Sequence, residues 1–572
     1  MIIFNINLNI WYFAQYRIER KIMKIDDLSR NQRNIIAILE KVKEGTTGEL
    51  TKELGLPRRT FLDNINFLIK HGLAKKSGSG KGTFYSRVII NEYIAKEITV
   101  FKEGIKFGVL QFGANGFEFT YDKNYKGEKP TSLLENVQSP DLFPEFENLI
   151  PEYARRDKLI NEYNTEYLSE LLVHLKNTHG AYDFINSYEE SKYVSDYSNR
   201  PSWYSIKNKI LGSNDYPNVL YGFNLNVEKK ILTAKTKGEH SALSGNQNKV
   251  DIDIDFKNKE IAEVTKDEVA LYLLKPYSED LSSYFEQFKK RDKGYYPHIA
   301  INEHLFMSFA KNELGFNVPY TALIEGEKEF HYITKRYDRY ENYKYHQKDF
   351  AQYLGIKSTQ KYKTTSEVLF TKLNEVIYSE DEKFDALRFY FYSSIIKHSD
   401  LHAKNIGALN IGREKNILAP LYDVISVGVY YGNSDALGLS INSRYLHKKV
   451  KFRVEDFYGL ADILGVNKDK FKIAAKEILI TFIEKFPIYI EKSKELLKYY
   501  SLEINNTRNG YTNFIIKLAN FYNERIVEFM KLDMLRDFDI DKYKEKLQED
   551  KLLKYNKLEL RQLHENYKID KD

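Results

Sequence analysis

The segment Ile396-Lys397-His398-Ser399-Asp400-Leu401-His402-Ala403-Lys404-Asn405 carries an Asp and an Asn with four residues between them, and a second Asp, in Pro420-Leu421-Tyr422-Asp423, stands eighteen positions beyond the Asn. Transfer of a phosphoryl group from ATP to a hydroxyl needs these residue types in this order. The first Asp orients and deprotonates the acceptor, the Asn holds one Mg²⁺, and the later Asp holds the metal that bridges the phosphates. Apolar runs flank the loop, and two upstream segments add weight. Leu271-Tyr272-Leu273-Leu274-Lys275-Pro276 has the pattern of an apolar strand ending in a lysine, a position from which an ammonium reaches the α- and β-phosphates. The run His298–Met307 predicts a helix whose Glu303 is suited to pair with Lys275 and fix its direction. Before them, the small-residue turn Ser244-Gly245-Asn246-Gln247-Asn248-Lys249 precedes the alternating strand Val250–Ile254 and is able to bring backbone N–H groups against a triphosphate. Its single Gly leaves an ordinary hairpin turn as the competing reading. His398 and His402 flank Asp400, but a His-x-Asp-x-His run with no third His nearby makes a poor zinc site.

These parts need elements to carry them. At 572 residues the chain has room for about three or four domains, and 42% hydrophobic with 29% charged residues describe a globular protein. The net charge of +6 is small beside 87 basic and 81 acidic residues, so any DNA-binding reading rests on a local segment. With no Cys, disulfides, thiolate zinc sites and a Cys nucleophile are excluded, in keeping with an expected cytoplasmic location. Residues 1–22 lack the basic start and cleavage site of a signal peptide and are expected to be a disordered arm or a misjudged start, with Met23 opening a cleaner sequence. No stretch approaches 18 uninterrupted apolar residues, so no membrane span is predicted.

Residues 23–95 read as a unit of their own. Ser29 is placed to cap a helix with Ile35, Ile36, Ile38, Leu39 and Val42 at helical spacing. Thr46–Gly55 predicts a short helix closed by glycine, and Pro57 opens a third with Phe61, Leu62, Ile65, Leu68 and Ile69 as its stripe. Leu73–Lys76 and Thr83–Val88 then flank the Ser77–Gly82 run as a hairpin, a run that lacks the spacing of a phosphate loop. Three helices and a basic, Gly-rich hairpin resemble a winged helix-turn-helix. Such a unit directs Arg58, Arg59, Thr60 and Asn64 toward the major groove and Lys75, Lys76 and Lys81 toward phosphates. A winged helix that binds protein is the competing reading. Further along, 96–160 reads as short strands and turns, 161–239 as an extended connection or insertion, 240–360 as strands around one helix, 361–540 as mostly helical, and 541–572 as a charged helical tail.

Taken together these segments resemble the HipA family of bacterial serine/threonine kinases. Phe107-Gly108-Val109-Leu110 with Phe119-Thr120-Tyr121-Asp122, and the run Leu142–Glu152, look like its N-terminal subdomain. Ser244–Lys249 is similar to its SGxQxK loop, Lys335–Arg339 to its RFDR strand and His346–Gly355 to its HQEDFxQxLG helix. Asp400–Asn405 is similar to its DxHAKN catalytic loop, Asp423 to its metal-binding xYD position, and Leu439-Ser440-Ile441-Asn442 to its late SINGK-like element. The resemblance covers roughly residues 100–160 and 240–480. It implies an α+β multidomain chain with a two-lobed protein-kinase-like fold: a strand-rich N-lobe at 240–360, a helical C-lobe at 361–540, and a subdomain at 96–160, all preceded by the winged helix-turn-helix. Asp400 is then the base, Asn405 and Asp423 hold Mg²⁺, and Lys275 with Glu303 holds phosphates. Ser244, Gly245, Asn246, Gln247 and Lys249 form the loop over ATP. Lys404 adds a cation within reach of the transferring phosphoryl group, with a surface ion pair as the alternative. Where some members carry an autophosphorylated serine this chain has Ala242, which leaves Ser241 and Ser244 as candidates. It also departs from the family in the long polar stretch 160–239 and in its fused winged helix, since typical members obtain DNA binding from a separate antitoxin.

The expectation is an ATP- and Mg²⁺-dependent serine/threonine protein kinase of the toxin–antitoxin type. Its implied partners are a protein of the translation machinery such as an aminoacyl-tRNA synthetase, an antitoxin, and operator DNA through residues 23–95, which allows autoregulation of its operon. A DNA-binding transcriptional regulator using the kinase fold as an ATP-sensing or docking module is the competing class. Retention of Asp400 argues against it, because a dead kinase has no need of the base. Phosphotransfer to a small molecule shares the same loop chemistry and comes third.

Overall fold

The computed structural model describes residues 29–70, 74–78, 80, 83–87, 96–113, 116–175, 177–195, 197–212, 215–227, 249–264, 268–277, 296–412, 415–431, 436–442, 453–500, 510–540 and 542. Ser241, Ser244, Gly245, Asn246, Gln247, Lys81, the arm at 1–22 and all of the 541–572 tail but Lys542 lie outside these residues. Two compact units divide the chain, Met1–Ala95 and Lys96–Asp572.

In the first unit, Ser29 and Gln32 form a capping box at the start of α1 (Arg30–Val42). The strand β1 (Glu44–Thr46) leads into α2 (Thr47–Leu54), which Thr46 and Glu49 cap in the same way and Gly55 closes in the left-handed region at φ 61°. α3 (Arg58–Lys70) follows, then β2 (Ala74–Ser77) and β3 (Phe84–Arg87). Pairing of β1 with β3 makes the hairpin a three-stranded antiparallel sheet in the order β1-β3-β2. Ile35, Leu39, Leu50, Phe61, Ile65 and Leu68 fill the core, with Tyr85 packed edge-on to Phe61 at 5.6 Å.

The second unit opens with β4 (Lys96–Lys102), β5 (Ile105–Gly113) and β6 (Gly116–Tyr121). From Pro144 onward the chain is helical where short strands were expected: α4 (Pro144–Glu147), α5 (Tyr153–Glu162) and α6 (Glu170–His174). Proline at the first helical position has its φ already set and no N–H to lose, so it starts a helix at no cost. Phe107, Leu110, Phe119, Phe146, Leu149 and Leu171 form the core beneath the sheet.

The described residues of 161–239, a stretch expected as a connection or insertion, contribute strands to two sheets. The strand β7 (Tyr182–Asn186) completes the first, in the order β6-β5-β4-β7. Helix α7 (Trp203–Leu211) then buries Trp203 among Tyr337, Tyr345 and Leu409. Next comes β8 (Asn224–Asn226), the edge of a six-stranded sheet that continues with β9 (Val250–Asp255), β10 (Glu260–Glu263), β11 (Tyr272–Lys275), β12 (Thr321–Ile324) and β13 (His331–Lys335). Their order is β12-β13-β11-β9-β10-β8, antiparallel except for the β8–β10 pair. Both strands taken from this stretch are short edge strands; β7 alternates buried Tyr182 and Phe184 with Asp183, over too few residues to stand out in a polar stretch. Between β11 and β12 runs α8 (Ile299–Asn312), buried on all sides from Ala300 to Ala310.

A two-residue ribbon, β14 (Arg339–Tyr340) and β15 (Tyr343–Lys344), leads to β16 (Gln347–Asp349) and the short helix α9 (Phe350–Tyr353). Helices α10 (Ser366–Val376) and α11 (Glu380–Ile395) follow, then β17 (Gly407–Asn410) and β18 (Asn416–Leu418), which pair with β16 in the order β16-β17-β18. The last helices, α12 (Tyr458–Leu464), α13 (Lys468–Lys494) and α14 (Tyr511–Phe529), share one large core with α8, α10 and α11. Among the described residues no helix is long and apolar enough to cross a membrane.

A buried charge cluster ties the first sheet's surroundings to the second. Arg336 donates to both carboxylate oxygens of Asp338, at 3.0 and 2.9 Å, and Arg339 donates to Asp338 Oδ2 at 2.8 Å. The two guanidiniums also donate to the carbonyls of Asn177, Thr178 and Gly180. Burial opposes ionisation of Asp338, but the two arginines hold its carboxyl far below the usual range. Its contribution to stability is therefore present above the ordinary carboxylate range and is lost as pH falls toward its folded pKa. Asp338→Ala strands two buried cations and is expected to lower the unfolding free energy by about 3–5 kcal/mol at pH 7. Urea titration of wild type and variant measures this, and the gap between them is expected to narrow in strong acid.

Candidate active site

Helix α11 stops at Ile396, and Lys397 turns the chain through the left-handed region at φ 51°, with the His398 N–H donating to the Ser393 carbonyl at 2.9 Å. The loop from His398 to Ile406 then enters β17. It is braced from behind by the late segment: His398 bridges Leu437, and Thr365 bridges Ser440. Gly438 makes this approach feasible, since a Cβ there would lie 2.4 Å from the Leu401 carbonyl oxygen and 2.8 Å from that of Ser399.

Asp400 is half-buried on this loop, and the Tyr362 hydroxyl donates to its Oδ1. Burial raises the Asp400 carboxyl above its ordinary range, with the Tyr362 bond pulling the other way. Asn405 accepts the His402 N–H on Oδ1 at 3.1 Å and donates from Nδ2 to Asp423 Oδ2 at 3.2 Å. Asp423 itself has φ 59°, a sparsely populated conformation for a residue with a side chain that costs about 1–3 kcal/mol and persists only where neighbours dictate it. Those neighbours are Lys275, whose Nζ donates to Asp423 Oδ1 at 2.6 Å, and the reciprocal pair of Asn302 with the Ser426 backbone at 2.8 and 3.0 Å.

Lys275 ends β11 with its side chain 5% exposed, and its ammonium also donates to both Glu303 oxygens at 2.7 and 2.8 Å. Burial works against its charge, but Asp423 and Glu303 more than compensate and raise its pKa. Burial pushes the Glu303 carboxyl up to about 7 against the pull of Lys275. At Asp423 burial again opposes ionisation, and Lys275 and Lys249 hold the carboxyl well below the usual range. Lys249, half-buried at the entry to β9, thus lends its charge to this centre. The rest of its predicted loop, Ser244 to Gln247, falls outside the described residues.

Lys404 is neither an open cation nor half of a surface pair. Its Nζ lies 2.9 Å from Glu152 Oε1 and 3.1 Å from the Asn148 carbonyl oxygen, buried against the segment after α4. The other oxygen of Glu152 pairs with Lys361 at 2.8 Å. Burial opposes the Glu152 charge, yet the two ammoniums hold its carboxyl below the ordinary range. His398 and His402 are buried, and burial pushes the first down to about 4 and the second well below its usual value, so both are neutral near pH 7.

In the first unit Arg58 and Arg59 are exposed at the start of α3, and Lys75 and Lys76 are exposed on β2. Thr60 and Asn64 are half-buried, and the Asn64 amide donates to the Thr60 carbonyl at 2.7 Å within its own helix.

Sequence reasoning missed Glu145, Glu147, Glu152, Lys361, Tyr362 and Asn302. The three glutamates did leave a signal, since acidic residues inside the apolar run Leu142–Glu152 must find partners when buried. Glu145 pairs with Lys348 at 2.8 Å and accepts from the Tyr182 hydroxyl, while Glu147 accepts from the Ser358 N–H and hydroxyl and from Arg156. Nothing in the local sequence marks Lys361, Tyr362 or Asn302.

The oxygens of Asp423 and Asn405 suit Mg²⁺, which takes one or two side-chain oxygens and completes its shell with water and phosphate. The Asp423 side chain, 36% exposed, is open to such a ligand. Among the described residues no group of three or more His, Asp or Glu side chains is arranged to hold a metal by itself.

The second unit is thus a mixed α/β body in which a lysine–glutamate pair, from the end of a sheet strand and from a buried helix, meets the Asp-x₄-Asn loop through Asp423. Residues 241–486 match the family model described as the HipA-like C-terminal domain. It is 25% identical over 224 residues to a Haemophilus influenzae protein described as "Putative kinase", covering 35% of this chain and 61% of that protein. It is 26% identical over 159 residues to a second "Putative kinase", from Sinorhizobium fredii, covering 26% of this chain and 39% of the other. The chain thus spans less than two thirds of the length of these curated relatives. Among solved structures, HipA of Shewanella oneidensis, in a complex with HipB and operator DNA, aligns with a TM-score of 0.48 at 15% identity, over 75% of this chain and 97% of that one.

Lys275→Met strands the Glu303 and Asp423 carboxylates around a buried methyl group and is expected to cost about 3–5 kcal/mol of stability. Adding Glu303→Leu is expected to recover part of that loss, giving a coupling energy above about 1 kcal/mol in a double-mutant cycle followed by denaturant unfolding.

Proposed function

We propose that this protein is an ATP- and Mg²⁺-dependent kinase that phosphorylates a serine or threonine hydroxyl of a protein substrate. The observation that carries the reading is the single bonded network joining Lys275, Glu303, Asp423 and Asn405, with Asp400 on the same loop as Asn405. Mg²⁺-ATP supplies the phosphoryl group and the cation that offsets its charge. Asn405 and Asp423 are the oxygen donors for the metal, Lys275 the cation for the phosphates, and Lys249 with Ser244, Gly245, Asn246 and Gln247 the cover over them. Asp400, kept partly from water, accepts the proton of the incoming hydroxyl. The Lys404 ammonium acts indirectly, by holding the loop to Glu152. Ser241 and Ser244 stay the candidates for autophosphorylation.

Asp400→Asn and Asp423→Asn are each expected to reduce γ-phosphate transfer by about 10²–10⁴-fold. A phosphoproteomic comparison of cells expressing wild type or Asp400→Asn measures the effect and identifies the acceptor. Unchanged phosphorylation with both variants refutes the assigned roles.

A second activity, DNA binding by the first unit, is favoured by its exposed Arg58, Arg59, Lys75 and Lys76 on a three-helix, three-strand frame that resembles a winged helix-turn-helix. Asn64 is the weakest base-reading candidate, because its amide is engaged by its own helix. Neutralising phosphates with basic side chains makes such binding salt-dependent. In mobility-shift titrations of the full chain with its own upstream DNA, the double variant Arg58→Ala, Arg59→Ala is expected to bind more weakly. Its salt slope is expected to be shallower by about 1 for each phosphate left without its arginine. Absence of any wild-type shift at low salt removes this activity.

A further inference from the structure

The acceptor side of the loop carries a group that the proposed chemistry leaves without a role. Tyr362 donates its hydroxyl to Asp400 Oδ1, the bond that a substrate hydroxyl must make before Asp400 takes its proton. We propose that the Tyr362 side chain fills the acceptor subsite and that the substrate hydroxyl binds by displacing it from Asp400. This inference rests on the kinase reading above.

The surroundings of Tyr362 are fixed, whereas its side chain is open. Tyr362 is 38% exposed, while Lys361, Leu401, His402 and Ala403 are all buried. On one side, Lys361 is anchored by its ion pair with Glu152 at 2.8 Å, and its carbonyl accepts the Ala403 N–H at 3.4 Å. On the other, Ser366 N–H donates to the Ser440 carbonyl at 2.9 Å. The backbone on both sides is thus tied to the catalytic loop and its brace, so opening the place calls for rotation of the Tyr362 side chain away from Asp400 and from the Lys361 ammonium, 5.7 Å from its ring centre. The Tyr362 ring meets His402 edge-on at 4.8 Å, so its departure uncovers an aromatic face beside Asp400. A hydroxyl residue on an extended peptide, with an apolar neighbour to cover that face, is the chemistry the vacated space accepts.

A phenol in this place also has the geometry of a substrate. Were Tyr362 itself phosphorylated, its oxygen would bond to the γ-phosphorus, the bond to the β-phosphate oxygen would break, ADP would leave and the proton would pass to Asp400. The openness of the ring favours the displaceable plug, and phosphorylation of Tyr362 is an outcome against it.

The test is steady-state ADP release by the full chain with Mg²⁺-ATP and no added protein acceptor, where water and the chain's own serines are the competitors for Asp400. Tyr362→Phe keeps the ring and removes the bond. It is expected to raise turnover about tenfold, the change that removing one hydrogen bond to a carboxylate gives, with an unaltered melting temperature. Tyr362→Ala is expected to raise it at least as far, and Asp400→Asn to abolish the gain in either background. A merely structural role for Tyr362 predicts lower turnover and a lower melting temperature. Unchanged or reduced turnover in both Tyr362 variants, while the wild type still phosphorylates cellular proteins, overturns the plug and leaves the kinase reading standing. Phosphotyrosine at position 362, found by mass spectrometry after incubation with Mg²⁺-ATP, also overturns it. If the wild type neither hydrolyses ATP nor differs from Asp400→Asn in any transfer, the kinase reading fails and takes the subsite with it.

Discussion

One buried ammonium organises the candidate site. Lys275 Nζ reaches Glu303 from the end of β11 and Asp423 from the loop after β18, with a side chain only 5% exposed. A charge withdrawn from water to this degree is tolerable only where carboxylates meet it at hydrogen-bond distance, and each carboxylate in turn depends on the ammonium. Sheet, helix and loop are therefore held in register by mutual necessity. The burial of α8 from Ala300 to Ala310 is part of the same constraint: it carries Glu303 for Lys275 and Asn302 for the Ser426 backbone on adjacent positions, so the helix cannot rotate without breaking one or the other.

A second group of buried charges extends this order outward. Glu145, Glu147 and Glu152 come from the segment around α4 and meet Lys348, Ser358, Arg156, Lys361 and Lys404. The Asp400 loop is thus gripped from one side by Glu152 and from the other by the glycine-dependent approach of the Leu437–Ser440 segment. Two non-glycine residues in the left-handed region, Lys397 and Asp423, stand at the ends of this arrangement. Backbone conformations of that kind survive where the surrounding bonds over-determine them, as they do here.

Much of the local order was legible in the sequence. Ser29 and Thr46 announce their helices because capping is a short-range bond between residues three apart. The Lys275–Glu303 contact was legible because an apolar strand ending in Lys has few chemical uses, and an acidic residue on an apolar helix has fewer. Partner choice over long range was not. Lys404 reads equally well as a free cation or a surface pair until Glu152, more than two hundred residues earlier, is seen beside it. The strands β7 and β8 were hidden for a different reason: they are edge strands of 5 and 3 residues, too short for a period of two to show. Tyr362 carries no pattern at all, since its place is set by the Lys361 anchor and not by its own surroundings in the chain.

The clasp at Glu152 bears on what counts as one piece of protein here. The recognised domain begins at residue 241, yet the compact body containing it begins at Lys96. A gene rearrangement that moved residues 241–486 alone would carry away Lys361 and Lys404 as buried cations while leaving their counter-ion behind, and would strip the sheet of its edge strand β8. The portion that sequence comparison recognises and the portion able to fold as inherited are thus different lengths of the same chain, and electrostatics, not similarity, sets the longer boundary.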